Sequence, residues 1–250
     1  MSYTALSIYE DWFFNEKLSI ILRMRFPFRA VTFDCFGTLI DWQKGQEDAL
    51  RQLSSVQPYL DRIPDIIQAR VPFEIQMESG EWQPYREILA QSISKAFNQV
   101  CENSLSEDEA KRFAASQKQW PAFPDTVRAL QRLSEFTDIG LLSNCDLDVL
   151  THTAKEHLRA PIKLFVSSEQ TKSYKPKLEH WKTSLEKLDC SANEILHVSF
   201  TRRFDLDPAH SMGFQLGFLA RHGAPPPSGL PIQWKGADLG ELVAALTTEI

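Results

Sequence analysis

The segment best placed to do chemistry is Ala30-Val31-Thr32-Phe33-Asp34-Cys35-Phe36-Gly37-Thr38-Leu39-Ile40-Asp41. Four mostly apolar residues run into an acid and a Gly-Thr turn follows at once, which predicts a buried strand delivering the Asp34 carboxylate to its C-terminal edge. Open α/β sheets bind and transform ligands at such edges. Other predicted strand ends carry polar residues too: Ser143-Asn144, Lys175 in Ser173-Tyr174-Lys175-Pro176, and Asp205 after Ser199-Phe200-Thr201. A carboxylate such as Asp34 can attack carbon or phosphorus and leave an ester or acyl phosphate that water then opens. Lys175 would keep it ionised, and Ser143, Asn144 and Thr38 would hydrogen-bond the carboxylate oxygens of nucleophile or substrate. Each feature also has a plain structural reading: Asp34 caps a turn, Ser-Asn opens a loop, Lys175 lies in solvent, and Asp205 caps a short helix near Asp207-Pro208. Their order along the chain, each at a predicted strand end, favours a common site.

The elements that must position these groups follow from hydrophobic spacing. After Asp41 the pattern turns helical for about eighty residues; Tyr85, Ile88, Leu89, Ile93, Ala96, Phe97 and Val100 repeat at helical spacing, and Ser106 with Glu109 forms a capping box. This predicts an all-helical insertion over 42–120, closed by Pro121-Ala122-Phe123-Pro124. From Asp125 helix and strand alternate as in a parallel sheet with crossover helices. Strands are predicted at Ile139–Leu142, Lys163–Val166, Ile195–Val198 and Gln215–Ala220, a Pro-rich surface loop at Ala224–Pro231, and a closing helix at Asp238–Leu246. The expected architecture is α/β, a doubly wound, Rossmann-like parallel sheet built from residues 29–41 and 121–250, with a helical cap domain at 42–120 inserted after the first strand. A cap over the strand ends can close the site and exclude water. Residues 1–28 form an N-terminal extension, in which Leu6, Trp12, Phe13, Ile20 and Leu22 read either as one face of a docked helix or as a poorly ordered tail.

At 250 residues the chain can bury a large core. A formal net charge of −6 without a run of Lys or Arg argues against nucleic acid, leaving a small-molecule substrate as the expected partner. Cys35, Cys101, Cys145 and Cys190 are scattered without CxxC spacing, which suggests free thiols and a cytoplasmic location. No secretory signal and no stretch of eighteen apolar residues is present, so no membrane partner is expected.

Phe33-Asp34-Cys35-Phe36-Gly37-Thr38-Leu39-Ile40-Asp41 closely matches the first motif, Asp-x-Tyr/Phe-Gly-Thr-Leu-x-Asp, of the type II 2-haloacid dehalogenases, and the chain resembles that branch of the haloacid dehalogenase superfamily. Phe123-Pro124-Asp125-Thr126, Leu142-Ser143-Asn144, Tyr174-Lys175-Pro176 and, more loosely, the stretch from His197-Val198-Ser199 through Asp205 to Gly213-Phe214 extend the resemblance from Ala30 to the C-terminus. It implies a HAD-like fold with Asp34 as nucleophile, Lys175, Ser143 and Asn144 as its supporting groups, and Asp205 orienting or activating water. It places substrate contacts at Thr38, Phe36, Ser199, Thr201 and Trp181. The family's halide-holding arginine lies in the cap, where only Arg70 falls near the right place, and Arg70 otherwise reads as an exposed helix residue. Arg202 and Arg203 are further cations that could hold a substrate carboxylate or lie in solvent. Homodimerisation through the cap is common among proteins of this resemblance, though no sequence feature here demonstrates it.

Two phenylalanines separate the candidate reactions. Phosphatases of similar sequence need an acid two positions after the nucleophile to protonate the leaving alkoxide, and Phe36 cannot donate that proton. A halide leaves without one, so Phe36 would line an apolar pocket, unless it only packs in the core. Magnesium-dependent relatives read Gly-Asp-Ser where this chain has Ser199-Phe200-Thr201, which removes a carboxylate that an octahedral oxygen site wants. The expectation is a metal-independent hydrolase without cofactor that releases halide from a small 2-haloacid through an Asp34 ester. The alternatives are a magnesium-dependent phosphatase using Asp34 and Asp205, and a catalytically drifted binding protein, which the changes at Thr201 and Trp181 would fit.

Overall fold

The computed structural model describes residues 21–248. The expected helix face at Leu6, Trp12, Phe13 and Ile20 lies outside the described residues. Residues 21–25 are helical, and the chain after them packs onto the body of the protein. Phe26 and Phe28 are buried, Phe28 meets Trp234 edge-on with ring centroids 4.8 Å apart, and Arg23 pairs with Asp138 at 2.8 Å.

Among the described residues a six-stranded, all-parallel sheet forms the centre of the molecule, in the order β3-β2-β1-β4-β5-β6. Its strands are β1 (Ala30–Phe33), β2 (Asp138–Ser143), β3 (Ile162–Ser167), β4 (Ile195–Ser199), β5 (Gln215–Leu219) and β6 (Ile232–Gly236). β1 and β4 are buried along their whole length, as expected for apolar strands covered by helices on both faces. The strand order turns outward in both directions from the β1/β4 pair, so the C-terminal ends of these two strands form the crevice where a doubly wound sheet holds its ligand.

The expected doubly wound parallel sheet is present, and the structure adds β6. The sequence reading ran from the Pro-rich loop to the closing helix without it, because β6 is an edge strand in which exposed Gln233 and Lys235 alternate with half-buried Ile232 and Trp234. Such a mixed pattern carries no continuous apolar run.

Between β1 and β2 the chain is helical, as its spacing predicts. α1 (Trp42–Leu50) is capped by Asp41, whose Oδ1 accepts from Lys44 N at 3.0 Å. A 3-10 segment, Ser54–Arg62, leads into α2 (Ile63–Glu78), followed by α3 (Tyr85–Cys101) and α4 (Glu107–Ala115), whose Ser106–Glu109 capping box forms. α3 is fastened to the sheet domain at its N-terminus, where Asp146 of the loop after β2 accepts from Tyr85 N and Arg86 N, both at 3.0 Å. A carboxylate there satisfies two otherwise orphaned amides and complements the helix dipole. Besides a single turn at Ser168–Thr171, the other flanking helices are α5 (Thr126–Ser134), α6 (Leu147–Thr153), α7 (Glu179–Leu188), α8 (Asp207–Ser211) and α9 (Leu239–Thr247).

Within the cap, the start and the end of the insertion meet closely at Gly45 in α1. A Cβ at Gly45 would fall 2.2 Å from Trp120 Cγ, so glycine lets the indole lie against the helix backbone. Gly45→Ala is therefore expected to lower stability by about 1–3 kcal/mol through overpacking, although alanine is the better helix former. Urea denaturation measures this, and an unchanged or raised midpoint would contradict the packing argument.

Candidate active site

β1 ends at Asp34, whose backbone N–H extends the ladder to Val198 O at 3.1 Å and thereby fixes where the carboxylate emerges. The loop after it is held from below. Phe123 N and Thr126 Oγ1 both donate to Leu39 O at 3.0 Å, and Arg221 Nε donates to Thr38 O at 2.9 Å. Thr38 in turn donates its hydroxyl to Asp34 Oδ2 at 2.8 Å. Lys175 Nζ donates to Asp34 Oδ1 at 2.8 Å, to Asp205 Oδ1 at 2.7 Å and to Leu142 O at 3.0 Å, which uses all three ammonium protons. Asn144 accepts from Lys175 N at 2.7 Å and donates to Lys175 O at 3.2 Å, so it clamps the lysine backbone instead of bonding to Asp34.

Asp205 is tied by both oxygens. Besides Lys175, Thr201 Oγ1 donates to Oδ2 at 2.8 Å and His197 Nε2 lies 3.2 Å from Oδ1. His197 Nδ1 lies 3.0 Å from Thr32 Oγ1, across the register pair that joins β1 to β4. His197 thereby bridges Thr32 of β1 and Asp205.

Burial opposes ionisation of both acids, with opposite outcomes. For Asp34, burial together with the Asp205 charge outweighs Lys175 and Thr38, and the carboxyl titrates above its ordinary value. For Asp205, burial is outweighed by Lys175 and His197, and the carboxyl is held well below the usual range. Burial also works against the Lys175 ammonium, but the two carboxylates overcome it and keep the lysine charged.

These groups open into a cavity of about 290 Å³ between the strand ends and the helices of residues 42–120. Phe36, Trp42, Trp120, Phe200 and Phe204 form its aromatic side, with Phe36 edge-on to Trp120. Gly37 permits this arrangement: its φ is +101°, and a Cβ would fall 2.3 Å from the Phe200 ring. Arg70, Glu74 and Glu78, spaced by four along α2, present one polar face on the opposite side with Tyr85.

The predicted residues thus divide. Asp34, Thr38, Lys175, Asp205 and Thr201 form one hydrogen-bonded cluster, and Phe36, Ser143 and Asn144 line the same cavity. Trp181, expected to touch substrate, is instead wholly buried behind the site, edge-on to His197, because it lies on the apolar stripe of α7 that packs on the sheet. Ser199 also lies outside the cavity lining; its hydroxyl accepts from Thr201 N at 3.1 Å and shapes the loop carrying Thr201. Arg70, expected at the substrate from the resemblance or else in solvent, is buried in the cavity wall, where its Nη1 pairs with Glu74 at 3.0 Å. Arg202 and Arg203 are exposed, and Arg202 pairs with Asp207 at 3.0 Å.

His197, Gln46, Glu74 and Glu78 were missed by sequence reasoning. The four-residue spacing of Arg70, Glu74 and Glu78 was a usable signal, since it puts all three on one helix face. His197 gave none, because a histidine inside an apolar run reads as core.

The residues do not fit a magnesium ion. The Lys175 ammonium occupies the position between Asp34 and Asp205 where a cation would sit, and Phe36 and Phe200 bring rings instead of oxygen ligands. Among the described residues no three of His, Cys, Asp and Glu converge as a metal site.

A family model described as haloacid dehalogenase-like hydrolase matches residues 28–213. Similar solved structures include an L-2-haloacid dehalogenase from Xanthobacter autotrophicus (TM-score 0.76, 20% identity, covering 88% of this chain and 98% of that one). The same enzyme with chloropropionic acid covalently bound gives a TM-score of 0.75 at 18% identity, with the same coverage. A putative HAD-hydrolase, YfnB from Bacillus subtilis bound to magnesium, gives 0.75 at 17% identity, also covering 88% and 98%. At these identities the likeness is one of fold. No curated protein matches the sequence.

Proposed function

The chain belongs to the haloacid dehalogenase-like hydrolases, and from that premise we propose a metal-independent hydrolase in which Asp34 displaces halide from the α-carbon of a small 2-haloacyl compound, the class that includes 2-haloacids. The observation that carries this reading is the setting of Asp34. Its carboxylate is anchored by Thr38 and Lys175 at the mouth of the cavity, and an aromatic ring, Phe36, stands where a proton donor for an oxygen leaving group would be needed.

In the first step an Asp34 oxygen forms a bond to the α-carbon as the carbon–halogen bond breaks, and the electron pair leaves with the halide. The Asp34 charge is consumed and an ester remains. Lys175 holds the carboxylate for attack and afterwards keeps its contact with Asp205. In the second step water attacks the carboxyl carbon of Asp34. Asp205 orients that water, since Lys175, His197 and Thr201 fill about three of its four acceptor positions and one remains for water. A carboxyl held so far below the ordinary range is a weak base, so its part is placement and charge compensation. The bond between the Asp34 carboxyl carbon and the ester oxygen breaks, that oxygen takes one proton of the water to leave as the hydroxyl of the 2-hydroxy compound, and the other proton passes to solvent as Asp34 regains its carboxylate.

The phosphatase alternative lacks its proton donor at Phe36 and its cation position at Lys175. An ion-selective electrode following 2-bromopropionate, its methyl ester and its amide tests the proposal. Halide release unchanged by EDTA is expected, together with no turnover of p-nitrophenyl phosphate on adding magnesium. Absence of halide from every compound, or release that requires metal, would overturn it.

A further inference from the structure

The cap side of the cavity carries a polar group that the displacement step leaves unused. Gln46 of α1 is fully buried in the lining; its Oε1 accepts from Arg70 Nε at 2.9 Å, which fixes the direction of the amide, and its Nε2 has no hydrogen-bond partner. An unsatisfied buried amide nitrogen costs about 1–3 kcal/mol. Its position in the wall of the reaction cavity makes a bound ligand the natural source of the missing acceptor.

The charges around it restrict what that ligand can be. Four carboxyl groups face the cavity, Asp34, Glu74, Glu78 and Asp205, against two cations, Lys175 and Arg70; burial and the Glu74 charge push the Glu78 carboxyl well up, so the surplus negative charge rests on the other three. Both cations already have carboxylate partners: Lys175, with no proton left to donate, lies between Asp34 and Asp205, and Arg70 pairs with Glu74 through Nη1 and donates to Gln46 through Nε. Arg202 and Arg203 stay outside. A carboxylate brought here would lose its hydration among surplus like charge, beside cations that each already face a carboxylate. Glu78 adds an acceptor on the same wall, where its Oε1 takes a hydrogen bond from Asn144 Nδ2 at 3.2 Å.

We propose that the preferred substrate is an uncharged 2-haloamide whose carbonyl oxygen accepts from Gln46 Nε2, whose amide N–H faces the Glu78 carboxyl, and whose alkyl group lies on the aromatic side. The inference rests on the Asp34 displacement chemistry above. The reaction balances as 2-haloamide plus water giving 2-hydroxyamide, halide and a proton: the Asp34 ester forms as the carbon–halogen bond breaks, and the amide bond is untouched. Gln46 is a substrate-binding residue in this scheme and takes no proton.

The test compares halide release from 2-bromopropionamide and 2-bromopropionate by the wild-type protein and by Gln46→Leu. The amide is expected to show kcat/KM at least about tenfold above the carboxylate, with Gln46→Leu raising KM for the amide by a similar factor. Equal or better turnover of the carboxylate would overturn this inference and leave the halide chemistry standing. Halide from neither compound would overturn the Asp34 reading itself. Binding of unreactive propionamide and propionate, followed through the fluorescence of the lining tryptophans Trp42 and Trp120, then decides separately: tighter propionamide binding supports the inference and tighter propionate binding refutes it.

Discussion

Asp34→Asn is expected to lower halide release by at least about 10⁴-fold while the protein stays folded. An amide nitrogen in place of one carboxylate oxygen leaves the side-chain volume almost unchanged but removes the proposed nucleophile. The pKa of Asp34 predicts the effect on stability. A carboxyl whose folded value lies above its unfolded value is destabilised in its ionised form, so a neutral isostere should give a Tm no lower than wild type. Loss of activity with retained or increased Tm is the signature of a strained catalytic group. A single turnover of the wild-type protein in water carrying a heavy oxygen isotope adds a second readout. The proposed attack of water on the carboxyl carbon of the ester predicts that the label enters the Asp34 carboxylate before it enters product. Label appearing first in product would mean that water attacks the substrate directly, and the ester scheme would fall.

Lys175→Met is expected to be the most damaging single change for stability and activity together. The ammonium is buried between two carboxylates at 2.8 and 2.7 Å, and its removal leaves Asp34 and Asp205 facing one another without a counter-charge. Breaking a buried ion pair from one side costs about 3–5 kcal/mol, and the same change pushes the Asp34 carboxyl further up, so less of it is ionised to attack. The pH dependence carries a definite sign. Asp205 has a folded-state pKa depressed below its unfolded value, so its contribution is present above an unfolded pKa of about 3.9 and is lost as pH falls through the folded value. Lys175 is the main cause of that depression. The stability gap between wild type and Lys175→Met should therefore be widest near neutral pH and narrow as the two carboxyls protonate. Urea melts at neutral and acidic pH measure it; a gap that stays constant, or one under about 1 kcal/mol as for exposed pairs, would show that the ion triad is energetically idle.

What could be read in advance depended on how local the physical signal was. Asp34 was legible because the apolar run before it and the Gly-Thr turn after it fix a strand end within a dozen residues. Ser143 and Asn144 were legible for the same reason. β6 was hidden by alternating polar and apolar side chains, since an edge strand is stabilised by its neighbour β5 more than by its own hydrophobicity. Trp181 and Ser199 were placed at the substrate by motif position, yet the helix stripe and loop that carry them turn their side chains into packing and backbone support. Arg70 was expected at the substrate from the resemblance and in solvent from its helix position alone. On an isolated helix it reads as a solvated cation, and only the packing of α2 over the strand ends buries it against Glu74 and Gln46.

The sequence by itself determined the strand that carries Asp34, the parallel α/β core with its helical insertion, the family, and the absence of a proton donor at Phe36. These follow from hydrophobic period and residue chemistry, which act over a few neighbouring residues. The tertiary structure alone decided that Lys175 has no proton left for substrate, that His197 stands behind Asp205, and that the cap lends the cavity Gln46, Glu74 and Glu78. Those contacts join residues far apart along the chain. Their charge states and free hydrogen-bonding groups are set by what the fold brings within about 3 Å, the reach of a hydrogen bond, and no local pattern encodes that distance.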